Sequence, residues 1–372
     1  MSGERAPVPV RLAATAVALL TVGLCAPPAS AQPSPVDDVV ARAVTDHDLA
    51  GAIAVIRDAH GVTTSTAGYA DVVSETPFAP QTYVRIASIT KTFVAAAILQ
   101  LVTERRVDLD APVETYLPGV IRGDGIDGAA ITVRQLLRHQ SGLPEYFDDD
   151  TPPPSSPVAP RELLSWALAK PVTHPPTSVP VYTNTNYVVA GLILEAVTGR
   201  SAADEVTRRI IEPLRLTHTY FPAPGDTWLR TPMAHGYEVV DGRREDVTAE
   251  EPSGSYMAGS LISTGEDLTA FIGALLDGRV VAPRELQEMT DTVDWPLHGP
   301  AFGYGLGLAS IDLGCGVTVW GHGGDLAGYH SIVAAAPGKP AVAVTFTQVT
   351  PGATALATDP RMAVLTAALC PP

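Results

Sequence analysis

Lysine is nearly missing from this chain, with three in 372 residues, at positions 91, 170 and 339, against 21 arginines. Basic residues as a whole are outnumbered, 24 Lys and Arg to 40 Asp and Glu, for a formal charge of −16. A nucleic-acid or anionic-membrane partner requires a concentrated basic face, and this balance argues against both. Beyond the first 31 residues no apolar run reaches the roughly 18 residues of a transmembrane helix, so no integral membrane association is expected. Cysteine is confined to positions 25, 315 and 370. No second His or Cys falls at ligand spacing around the residues singled out below, so neither a metal site nor a cofactor is expected. No internal repeat is visible.

The N-terminus has the layout of an export leader. Arg5 and Arg11 bracket a basic start, Leu12 to Ala26 is free of charge, and Ala29-Ser30-Ala31 offers small residues for cleavage before Gln32. At about 15 residues the apolar run is too short to span a bilayer comfortably. The expected mature chain, 32–372, is therefore secreted and extracellular, and Cys25 leaves with the leader. The remaining pair, Cys315 and Cys370, reads as a disulfide formed in an oxidising compartment, with two unrelated buried thiols as the alternative.

Along the mature chain, "PVDDVVARAVTDHD" (35–48) has helical spacing, and "AGAIAVIRD" and "VTTSTAGYA" flank the turn Asp58-Ala59-His60-Gly61 as an antiparallel hairpin. From Ser88, "SITKTFVAAAILQLVTERR" predicts a long, mostly buried helix. Helical patterns follow at 132–139, 161–169, 186–198, 201–212, 265–277 and 283–292, with Pro-rich loops between them, notably 146–162. After 301 short β-rich runs return, and a helix near 360–369 closes the chain. The order predicts an α+β fold in one domain over 32–372. An antiparallel sheet flanked by helices is built from about 32–87 and 297–372, the N-terminal hairpin pairing with the C-terminal strands, and a mostly helical subdomain at about 88–296 is inserted.

The first chemically suggestive stretch is Ser88-Ile89-Thr90-Lys91. A serine at a helix N-terminus lies at the positive end of the macrodipole, and a lysine one turn on shares its face. In an apolar cleft that lysine loses solvation, its pKa falls, and it becomes a base able to activate the hydroxyl. With 18 serines and three lysines, chance yields about 0.15 S-x-x-K matches, and this one is unique in the chain. Taken alone, an N-capping serine followed by a solvated lysine explains the stretch as well. Two further triplets also occur once each, Tyr182-Thr183-Asn184 and His322-Gly323-Gly324.

These three motifs, in this order, resemble those of the serine β-lactamase and penicillin-binding-protein superfamily. The similarity is to its class-C-like branch, and within it to soluble secreted D-Ala-D-Ala carboxypeptidases whose third motif is H-x-G. The phrases "LLRHQSGLPEY", "MAGSLISTGEDLTAF" and "FGYGLGL" look like the same family and extend the likeness over the mature chain. The resemblance implies that Ser88 forms an acyl-enzyme, while Lys91 and Tyr182 share the proton traffic, either one being the base. A phenol serves as a base only if a neighbouring cation lowers its pKa, and Lys91 would be that cation. It also implies that Asn184 orients Lys91 and holds the acyl side, that His322 walls the far side of the cleft, and that the N–H groups of Ser88 and Asp325 form the oxyanion hole. Gly323 and Gly324 would let substrate approach the strand edge. His139 is expected to be structural, ending a helix where a cation or donor meets free carbonyls.

The expected function is thus a secreted serine hydrolase of the D-alanyl-D-alanine carboxypeptidase type. It would act as a monomer on a small molecule or peptide such as a peptidoglycan stem peptide or a β-lactam. One departure bears on substrate. Ala309 and Ser310 stand where such carboxypeptidases place a carboxylate-binding arginine, and Asp325 would repel a free carboxylate if it pointed into the cleft. An esterase, or a D-amino-acid amidase or aminopeptidase of the same fold, is the alternative. A β-lactamase or a non-catalytic penicillin-binding module stands further off.

Overall fold

The computed structural model describes residues 1–3, 6–7, 34–147, 154–177, 179–295, 299, 301–349 and 359–371. The expected leader lies almost wholly outside the described residues, as does the middle of the Pro-rich loop, 148–153. The unit Ser34–Pro372 begins with helix α1 (Pro35–Asp46), opened by a capping box in which Ser34 and Asp37 each accept the other's backbone N–H. Strands β1 (Gly51–Asp58) and β2 (Gly61–Gly68) form the expected hairpin, its turn tied by the Asp58 carboxylate accepting from the N–H groups of His60 and Gly61. The rest of the main sheet comes from the far end of the chain: β3 (Val293–Asp294), β4 (Phe302–Tyr304), β5 (Ala309–Asp312), β6 (Thr318–Leu326), β7 (Tyr329–Ala335) and β8 (Ala341–Phe346). The order is β2-β1-β8-β7-β6-β5-β4-β3, with every neighbour antiparallel. The hairpin thus pairs with the last strand, Ala52 opposite Phe346 and Val55 opposite Ala343.

Alternation along β7 and β8 explains why both faces of the sheet are covered. Ile332, Ala334, Val342 and Val344 point one way, into a core with α1 and with α10 (Pro360–Leu369), while Val333, Ala335, Ala341 and Ala343 point the other way, into the larger core of the inserted region. At the centre of that larger core is α2 (Thr90–Thr103), apolar all round and buried from Thr90 to Leu99. Around it are α3 (Val133–Leu137), α4 (Pro160–Leu168), α5 (Thr185–Thr198), α6 (Ala202–Val206), α7 (Tyr256–Gly259), α8 (Gly265–Leu276) and α9 (Pro283–Thr290). The inserted region also holds three short strand pairs absent from the sequence expectation: 84–85 with 262–263, 122–123 with 126–127, and 237–240 with 243–246. Cys315, in the turn between β5 and β6, is bonded to Cys370 at the end of α10, 5.9 Å apart at Cα. No helix among the described residues is long and apolar enough to cross a membrane.

Candidate active site

The helix expected from Ser88 begins two residues later. Ala87–Ile89 is a tight 3-10 turn that leads into α2 at Thr90. Ala87 holds a φ of 46°, a region that a side chain with a Cβ enters only under strain, on the order of 1 kcal/mol or more. Strand β6 holds the turn there: a Cβ on Gly324 would meet the Ile86 carbonyl oxygen at 2.2 Å, so only glycine lets the strand lie against it. Gly323 is tight for a different reason, its would-be Cβ lying 3.3 Å from Arg361 Nη1.

Lys91 is fully buried, and its Nζ meets three acceptors: Asn184 Oδ1 at 2.7 Å, the Ala258 carbonyl at 2.8 Å and Ser88 Oγ at 2.9 Å. Burial lowers its pKa to about 7, against a partial opposing pull from Glu145. The Asn184 amide cannot flip, because its Nδ2 donates to Glu145 Oε2, which also accepts the Asn184 N–H. A neutral Lys91 therefore spends its two N–H bonds on two fixed acceptors and aims its lone pair at the Ser88 hydroxyl. Tyr182 sits beside this pair, Nζ lying 4.8 Å from the ring centroid. Its Oη is buried without a partner of hydrogen-bonding geometry among the described residues, although the Ser88 hydroxyl is near enough to favour the phenolate somewhat. Burial outweighs that pull and raises the phenol pKa, so the lowering expected from a Lys91 cation is corrected: Lys91 is the group shifted toward neutral pH, and Tyr182 keeps its proton.

His322 lies behind Tyr182 in a chain of bonds whose directions are all forced. His139 Nδ1 accepts from the Thr183 N–H and from Asn186 Nδ2, the Asn186 Oδ1 being occupied by the Ser141 hydroxyl. The proton of His139 is then on Nε2, which donates to Tyr304 Oη at 3.2 Å; Tyr304 donates to His322 Nε2 at 2.9 Å; and His322 Nδ1 donates to the Gly323 carbonyl at 2.5 Å. Burial, reinforced by Lys91, holds both imidazoles neutral, with His322 lowered to about 3. His139 is thus structural as expected but by another means. It lies past the end of α3 with a φ of 57° and stacks on Tyr182 at 4.1 Å, rather than offering a cation to helix carbonyls. Glu145, Tyr304 and His139 were not among the expected site residues. Only the phrases around them carried a signal, because their roles depend on contacts between distant segments.

Asp325 does reach the cleft, but engaged: its Oδ1 accepts from His330 Nδ1 and from Arg361 Nη1. Arg361 is further bound by both oxygens of Asp359 and by the Ser331 carbonyl. Burial opposes charge on His330, but its hydrogen bonds to Asp325 and Asp359 prevail and raise its pKa. The corner holds two carboxylates against Arg361 and His330, and so carries no surplus positive charge. Ala309 lines it, as the sequence implied. Among the described residues no group of side chains is placed to hold a metal ion.

Residues 36–368 match the Beta-lactamase family. The chain belongs to the beta-lactamase family. Among solved structures, this family member is similar to a D-stereospecific amidohydrolase from Streptomyces sp., at 36% identity and a TM-score of 0.81 over 89% of this chain and 97% of that one. It is also similar to the D-amino acid amidase from Ochrobactrum anthropi SV3, at 26% identity and a TM-score of 0.79 over 90% and 97%. Among curated relatives, it is 26% identical to the putative penicillin-binding protein PbpX of Bacillus subtilis over 68% of this chain. The chain spans less than two thirds of the curated relatives it matches, 37% of one and 62% of another.

In this beta-lactamase-family protein the cleft has two arms meeting at Ser88, Asn184 and Asp325. One, of about 350 Å³, is walled by Tyr182, Trp295, Phe302, Ile311 and Ile332 and is largely apolar. The other, of about 280 Å³, runs between Tyr146, Phe147 and the segment 250–259. A serine beside a neutral lysine amine and a protonated phenol can perform acyl transfer in either direction.

Proposed function

We propose that the chain is a serine amidohydrolase acting on amides or short peptides of D-amino acids through an acyl-enzyme on Ser88. The observation that carries the reading is Lys91, held by Asn184 and Ala258 with its lone pair toward Ser88 Oγ and its pKa lowered to about 7. Lys91 takes the Ser88 proton as Oγ attacks the carbonyl, and the N–H groups of Ser88 and Asp325 receive the oxyanion. Tyr182 protonates the departing nitrogen and regains a proton from the Lys91 ammonium, which restores the neutral base for attack by water. His322, neutral and doubly bonded, is a fixed wall. The D-stereospecific preference is supported by the likeness to the amidohydrolase and the amidase.

An amide is favoured over the carboxypeptidase substrate because Arg361, the guanidinium lining the apolar arm, is already bound by Asp325 and Asp359. A carboxypeptidase stands as the second reading, since a substrate carboxylate displacing Asp325 would find that guanidinium. Export is part of the proposal, supported by the leader pattern and the Cys315–Cys370 bridge. The test sets wild type and Ser88→Ala against a D-amino-acid amide, an acyl-D-Ala-D-Ala peptide, a p-nitrophenyl ester and a cephalosporin, following product and intact mass. Turnover of the amide, lost in Ser88→Ala, is expected. D-Ala release faster than amide cleavage selects the carboxypeptidase, and equal activity in Ser88→Ala overturns the mechanism.

A further inference from the structure

The arm beside Tyr146 contains a carboxyl group that no described residue engages. Glu250 lines the cavity that opens onto Ser88, and its Oε2 is buried with no hydrogen-bond partner among the described residues. Its neighbour Glu251 is fully engaged, accepting from the N–H groups of Gly225 and Ser253. Arg85, the cation that acts on it electrostatically, donates to the backbone carbonyls of Thr227, Thr248 and Glu250 rather than to the carboxyl. A buried carboxyl oxygen without a donor costs free energy that a ligand's N–H could recover.

The two arms can be assigned to the two halves of a substrate. The leaving nitrogen must lie beside its proton donor, and Tyr182 lines the apolar arm but not this one. The acyl half therefore enters the arm of Glu250. We propose that Glu250 anchors a free ammonium on the acyl residue, so that the enzyme acts on substrates with an unblocked amino group and discriminates against N-acylated ones. This rests on the acyl-enzyme reading above and narrows its substrate class.

The surroundings keep the carboxyl responsive. Burial raises its pKa to about 7, with Arg85 pulling it down and Glu238 pushing it up. Tyr146 and Tyr329 are the other titratable groups that sense it, and Glu251 and Asp325 line the same cavity. An arriving ammonium would find the carboxyl partly protonated near neutrality and shift it toward the carboxylate.

The experiment compares D-phenylalanine p-nitroanilide with its desamino counterpart, 3-phenylpropanoyl p-nitroanilide, in wild type and Glu250→Gln. A charge-assisted hydrogen bond makes the ratio of kcat/KM, amino over desamino, about 10 to 100 in wild type and brings it close to one in Glu250→Gln. In wild type alone the ratio should rise with pH through about 7 and fall again as the substrate's own ammonium deprotonates, a readout independent of how the variant folds. A ratio near one in wild type, or one unchanged in a folded Glu250→Gln, overturns the anchor. Absence of turnover and of acylation by a small ester in wild type would instead sink the acyl-enzyme reading.

Discussion

Ser88 and Lys91 illustrate how little covalent machinery would separate an inert helix start from the nucleophile proposed above. The difference is made by Asn184 and Ala258, which absorb the two N–H bonds of a neutral amine, and by burial, which lowers the ammonium pKa to about 7. Because the charged lysine has no lone pair for Ser88, acylation by an uncharged p-nitrophenyl ester is expected to fall as pH drops below about 7 and to reach a plateau above it, read by the burst of nitrophenol. Lys91→Ala should lower the plateau burst rate by roughly 10² to 10⁴ and remove the limb, so that the gap to wild type narrows below about pH 7. One bond further out, Tyr304→Phe removes the donor to His322 Nε2 and the acceptor for His139. Loss of about 1 kcal/mol of orientation predicts a fall in kcat of about 3- to 10-fold. The ring ¹⁵N resonances of His322 should keep the Nδ1–H tautomer, held by the Gly323 carbonyl, with the Nε2 signal shifting as it loses its donor. Ser88, Tyr182 and His322 stood out in the sequence because each sits in a short, once-occurring motif. Glu145, His139 and Tyr304 did not, since each bonds a residue far away in the chain, and Glu250 did not, since only its burial beside the cleft singles it out.

Elements followed the hydrophobic pattern where they were long enough to show a period. The hairpin of β1 and β2 and the closing helix α10 fall within a residue or two of expectation, and the central helix α2 within three. The strand pair 237–240 with 243–246 escaped because "RRED" is exposed throughout and has no alternation to read. The start of α2 was misplaced because a strained turn precedes it, and strain of that kind is imposed from outside, here by β6. A methyl group on Gly324 has nowhere to go but into the Ile86 carbonyl. Gly324→Ala should therefore lift β6 from the turn and pull the Asp325 N–H away from the oxyanion. The expected loss is about 10² to 10³ in kcat, the scale of one oxyanion donor, with a much smaller change in KM. Equal activity in Gly324→Ala would show that the strand does not contribute that donor.

At the scale of the molecule, two apolar cores are separated by one sheet, and α10 is tied into the smaller of them both by packing and by the Cys315–Cys370 bond. Closing 55 residues of sequence removes loop entropy from the unfolded chain worth about 4 kcal/mol. Cys315→Ser with Cys370→Ser should lower the unfolding free energy by up to that amount in a denaturant titration, while ester acylation at Ser88 persists under native conditions. The predicted α+β architecture, down to the pairing of first hairpin with last strand, was legible because parts of one sheet were written at the two ends of the chain with the same β-branched pattern. That arrangement also sets a clock. The turn carrying Ser88 is synthesised well before β6, which presses on it, and before β8, which locks the sheet to β1. A nascent chain that has not yet reached these strands thus holds Ser88 on a turn with nothing pressed against it, and the proposed site is assembled only once both have been made.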